Sequence, residues 1–109
     1  LPNHNEIIGV SNMQNITDTP QTKRISQKLR EKFKNLTHIK SVQTRFGNKF
    51  HIFTHNTMNL LYVVKVVETY GKDQHLGNLV NLDFTPHGGK CFLSPNELKL
   101  VKSVFLGGV

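Results

Sequence analysis

Asn59-Leu60-Leu61-Tyr62-Val63-Val64-Lys65-Val66-Val67-Glu68-Thr69-Tyr70 is the most apolar and most β-branched stretch of the chain. Extended, it sets Leu60, Tyr62, Val64 and Val66 on one face and Leu61, Val63, Val67 and Thr69 on the other. A strand apolar on both faces belongs inside a sheet rather than at its edge, so this segment is expected to be the central strand. A helix is the competing reading. The four valines within residues 63–67 decide against it, because β-branched side chains lose rotamer freedom on a helix and pack well on a pleated surface.

Working outward, residues 49–55 read as the preceding strand, with Phe50, Ile52 and Thr54 facing Val42 and Phe46 of another strand at 39–46. Gly47-Asn48 supplies a two-residue hairpin turn and Asn56-Thr57 the next. Beyond Gly71-Lys72-Asp73, residues 76–84 form a further strand, in which Asn78 and Leu79 break the alternation and leave room for a bulge. Residues 6–10 read as a short first strand, and residues 1–5 as a linker or disordered end.

Two helices flank these strands. Asp18 or Thr19 can cap the first, Pro20 suits its opening position, and Ile25, Leu29, Phe33 and Leu36 recur within a stripe about 80° wide. Lys23, Arg30 and Lys34 lie nearly opposite the stripe, while Arg24, Lys28 and Lys32 run along one flank. Ser94-Pro95-Asn96-Glu97 is a capping box that opens the second helix; Leu98, Val101 and Phe105 form its buried stripe, widened by Leu100 and Val104, and Gly107-Gly108 closes it. The expectation is an α+β domain spanning 1–109, with a four- to five-stranded antiparallel sheet and both amphipathic helices on one face.

At 109 residues the chain is one domain, too short for a large catalytic fold. It has no apolar run long enough to cross a bilayer, no signal-peptide pattern at its start and no initiator Met, which predicts a fragment of a cytoplasmic protein, peripheral at a membrane or nuclear. Cys91 is the single cysteine, excluding an internal disulfide. The sequons at Asn15 and Asn35 are expected by chance in so Asn-rich a chain. Fourteen Lys and Arg against seven Asp and Glu give a net charge of +7, and nine of the fourteen are Lys23, Arg24, Lys28, Arg30, Lys32, Lys34, Lys40, Arg45 and Lys49. Glu31 is the only acid in that span, so a polyanion is the expected partner, either nucleic acid or an anionic membrane. The bland alternative is charge kept for solubility.

Little else points to chemistry. His51 and His55 have the spacing of a helical zinc pair, but on a strand they stand roughly 13 Å apart, so they read as surface or cross-strand histidines. His87-Gly88-Gly89 lacks the spacing of a phosphate loop, and Cys91 reads as an ordinary buried thiol. No metal, cofactor or paired carboxylates are expected. A small ribonuclease using His51 or His55 as general acid or base is the enzymatic alternative, and a nucleic-acid-binding protein the other. The aromatic residues Phe46, Phe50, Phe53, Tyr62 and Phe84 read as core rather than as base-stacking platforms.

In the order of its elements the chain resembles the kinase-associated-1 domain, a small C-terminal module of serine/threonine kinases, over nearly all of residues 7–106. The resemblance rests on the spacing of Ile25, Leu29 and Phe33, on the paired stretches 62–68 and 79–84, and on His87-Gly88-Gly89 leading to the last helix. Residues 7–10 lack the Arg and aromatic residues that often mark the family's first strand. The resemblance implies a non-catalytic regulatory module whose partners are acidic phospholipids, the kinase domain of the same chain for autoinhibition, or another regulatory protein. The cationic helix, found independently, agrees with the lipid-binding variant.

Overall fold

The computed structural model describes residues 13–107. Along them run β1 (Gln14–Asn15), α1 (Pro20–Lys32), β2 (Leu36–Gln43), β3 (Lys49–His55), β4 (Leu60–Thr69), β5 (Lys72–Asn81) and α2 (Pro95–Phe105). The strands form one antiparallel meander in the order β1-β2-β3-β4-β5. The architecture is α+β, as expected. The strand anticipated at residues 6–10 lies outside the described residues; the first strand described is β1, two residues long and paired with the end of β2.

The apolar stretch is β4, hydrogen-bonded on both sides, to β3 and to β5. It is interior, although β3 holds the middle place in the sheet. Its two apolar faces are covered separately. Leu61 and Val63 join Val42, Phe50, Ile52 and Val80 beneath Leu98, Leu100, Val101 and Val104 of α2. Val64 and Val66 turn the other way and join Leu36 and Phe53, with Leu29 of α1 and Tyr62 against them. The helices therefore lie on opposite faces of the sheet, which corrects the expectation of a single helical face. The two-sided burial of β4 is the physical reason, since a sheet with both helices on one side would leave four large side chains of β4 in water.

The layers differ in character. The α2 layer is dry and aliphatic, with Val42, Ile52, Leu61, Val63, Val80 and Val101 fully buried. Under α1 the buried helix residues are Thr22 and Ser26, and beneath them in the sheet lie Ser41 and His51. The apolar stripe of α1 is shallow, with Ile25 and Leu29 half-buried and Phe33 39% exposed.

Local chemistry sets the boundaries. Thr19 caps α1, its hydroxyl accepting from Thr22 N, and Pro20 follows as expected. The helix ends four residues earlier than its periodicity allows, because Phe33 is already extended and Leu36 is drawn into pairing with His55. That pairing starts β2 three residues early, and Phe46 is left in the turn, 67% exposed. Thr44 N donates to Asn48 O at 2.8 Å, closing a three-residue loop in which Gly47 takes φ 90, a conformation that favours glycine. Tyr70-Gly71 is a two-residue turn with both residues at positive φ, so β5 begins at Lys72 and not at residue 76.

The bulge falls in β2, between His38 and Lys40, whereas β4 and β5 pair without a break. Asn78 sits in regular register as a buried polar clasp. Its Nδ2 donates to Val63 O at 3.1 Å and Leu76 O at 2.9 Å, and its Oδ1 accepts from Phe92 N, tying the loop before α2 to the sheet. Ser94 and Glu97 close both hydrogen bonds of the capping box. Among the described residues no helix is long and apolar enough to cross a membrane.

Candidate functional site

Helix α1 carries five cations and one acid, Glu31, in 13 residues. Because its inner line is Thr22 and Ser26, every Lys and Arg is forced outward, and Lys23, Arg24, Lys28, Arg30 and Lys32 are all exposed. None of the five forms an ion pair among the described residues, where the one ion pair is Lys65 Nζ to Glu97 Oε2 at 2.8 Å, on the opposite face. Arg30 and Lys32 in the last turn also complement the helix dipole.

The other expected cations scatter. Lys34 is exposed in the link to β2 and extends the α1 surface. Lys49 is half-buried and donates to Gln21 Oε1 at 2.7 Å, joining the start of β3 to the first turn of α1. Arg45 is exposed in the β2–β3 turn, next to Phe46. Lys40 registers with Ile52, a residue of the α2 layer, and stands apart from the α1 group.

Two hollows border α1. On the β2 side, Lys23 and Arg30 face Asp18, Thr37 and His38 across a space of about 450 Å³. On the β5 side a groove of about 450 Å³ runs between α1 and the sheet, walled by Arg24, Lys28 and Lys32 and floored by Ile25, Leu29, Tyr62 and Val64. Asp73 and His75 form its far lip. Nothing in the sequence marked the groove, since its floor joins α1 to strands more than 30 positions away.

Among the described residues, His51 and His55, the two histidines singled out in the sequence, are not brought together. His51 is buried, 1% exposed, not on the surface, and His55 is half-buried with Nδ1 against Thr57. Ser41 Oγ lies 2.7 Å from both His38 Nε2 and His51 Nδ1. A serine has one proton to give, so one imidazole must donate to it. Among the described residues, His51 Nε2 and Ser26 Oγ are buried without a hydrogen-bond partner. His87 Nδ1 contacts Asn81 Oδ1 at 2.9 Å, a link within its own loop, and Cys91 is a half-buried free thiol. Among the described residues no three His, Cys, Asp or Glu side chains are grouped to hold a metal.

Burial, with His38, His75 and Lys49 adding repulsion, holds the His51 imidazole down at about 4. Burial also lowers His38, with Arg30 adding to the effect and Lys40 and Asp18 opposing it. The unfolded chain binds a proton at His51 near pH 6.5, well before the folded chain does. Stability from this group is therefore complete above about pH 6.5 and is lost as pH falls toward 4, by on the order of 3 kcal/mol. Urea midpoints measured between pH 7 and pH 4.5 are expected to fall steeply, and His51→Gln to flatten the slope.

No family model matches the chain, and no curated protein or solved structure matches it.

Proposed function

We propose that this domain is a non-catalytic module that docks on anionic phospholipid membranes through the outer face of α1. The observation that carries the reading is that all five cations of that helix are exposed and without an ion-pair partner among the described residues. Each Lys or Arg brought to an anionic leaflet contributes about 1 kcal/mol, so four to five acting together give measurable binding that salt weakens.

A membrane is favoured over nucleic acid by the sheet itself. Base stacking on a sheet needs open rings, and the aromatic residues of the described strands are buried, Phe50 and Phe53, or half-buried, Tyr62. The exposed apolar groups near the cations lie at edges, Phe33 at the end of α1 with its ring against Tyr62 and Phe46 beside Arg45, where they suit an interfacial layer. Nuclease chemistry is disfavoured because His51 is sealed beneath α1.

The domain is expected to sediment with vesicles containing phosphatidylserine and to stay in solution with phosphatidylcholine vesicles. Equal retention by both, or tighter binding to duplex DNA than to the anionic vesicles at the same salt, would overturn the reading. Attachment to a kinase is the further part of the proposal and is supported by the order of elements alone. It predicts that the domain added in trans lowers the activity of the kinase from the same gene product.

A further inference from the structure

The groove between α1 and the β4–β5 side of the sheet has an apolar floor that surface docking does not use. Arg24, Lys28 and Lys32 follow one another at intervals of four, as do Ile25, Leu29 and Phe33 beside them. On a helix each interval is about 6 Å, so a row of cations runs parallel to a row of apolar side chains along one opening. The sheet continues the apolar row with Tyr62 and Val64. The Phe33 ring closes one end against Tyr62, centroids 5.5 Å apart, and Lys32 Nζ stands 5.4 Å from the Phe33 ring.

Gly77 makes the room. A Cβ at that position would collide with the Tyr62 hydroxyl, so the ring can lie flat across β5 only because residue 77 has no side chain. The far lip is not cationic, holding Asp73 and His75, so the positive charge lies along the α1 wall alone. A volume near 450 Å³ falls in the range of small-molecule sites.

From this pairing of parallel rows we propose that the groove binds a single-chain anionic lipid, its acyl chain along Ile25, Leu29, Tyr62 and Val64 and its phosphate or carboxylate against Arg24, Lys28 and Lys32. The site needs both halves. Free phosphate would lack the apolar floor, and a neutral amphiphile would leave the cations unanswered. Membrane docking draws on the same three cations but needs no groove, so variants of the apolar floor separate the two proposals.

The test is an NMR titration of the whole chain with monomeric lysophosphatidic acid below its micelle concentration, with inorganic phosphate and lysophosphatidylcholine as parallel probes. Saturable shifts of the Ile25, Leu29 and Val64 methyls are expected with the first probe alone. Ile25→Gln should weaken binding by about tenfold, the loss of one buried aliphatic contact. Gly77→Ala, which forces the Tyr62 ring out of its place, should weaken it as much. If either variant misfolds, the other still decides. Both should keep phosphatidylserine vesicle binding. Shifts confined to the Lys23 and Arg30 amides, equal shifts with inorganic phosphate, or affinity unchanged in the folded variants would overturn the groove site while leaving docking intact. Failure of vesicle binding with the methyl shifts retained would do the reverse.

Discussion

Phe50→Ala is expected to cost about 3–5 kcal/mol, a large part of the 5–15 kcal/mol that holds a domain of this size together. Phe50 is 1% exposed, paired with Val42 and set beneath α2, in a layer whose aliphatic side chains are almost entirely removed from water. The hole is filled only in part, because the side chains around it, Val42 and Ile52 on strands and Leu100 and Val101 on α2, are already close-packed and buried. The urea midpoint should drop by more than 1 M, taking a slope of roughly 1–3 kcal/mol per molar. Ile25→Ala on the other face should cost far less, since Ile25 is half-buried on a shallow stripe. The contrast tests the division between a dry layer that supplies stability and a polar layer that carries the charged helix. Equal losses from the two substitutions would contradict it.

Reversing Lys23, Lys28 and Arg30 together to Glu should lower affinity for phosphatidylserine vesicles by two to three orders of magnitude, from about 1 kcal/mol lost per cation plus new repulsion. The fold should hardly notice. All three side chains are exposed and unpaired among the described residues, and surface charges of that kind contribute little to stability. The variant should therefore keep its urea midpoint at pH 7 and lose its membrane. Retained binding would mean that the attachment lies elsewhere, with the exposed turns at Phe46 and Tyr70 the next surfaces to test.

Much of this architecture was legible because its signals are local. Pro20, the Ser94–Glu97 box and the valine-rich run each state an element through backbone chemistry within a few residues, and all three elements form. The two-sided apolar pattern of β4 also implies a helix on each face, and the structure places them so. What stayed hidden was set at a distance. The end of α1 is decided by Leu36 pairing with His55, and the start of β5 by Tyr70 accepting a positive φ that the sequence does not favour. His51 shows the same limit. On an alternating strand it looks like an outward polar residue, and only the packing of α1 across that face, with Thr22 and Ser26 inward, turns it into a buried one. The cations of α1 were readable from spacing alone, but the groove beside them needed β4 and β5 in place.

With one helix on each side of the sheet, only one of the two can meet an anionic surface. Bicelles containing phosphatidylserine and a trace of gadolinium-chelating lipid would broaden the amide signals nearest the headgroups. Broadening along residues 23–32 of α1, with Lys99 and Lys102 of α2 left sharp, is the predicted result. Broadening centred on α2, or spread evenly over both helices, would contradict the claim that the outer face of α1 is the docking surface.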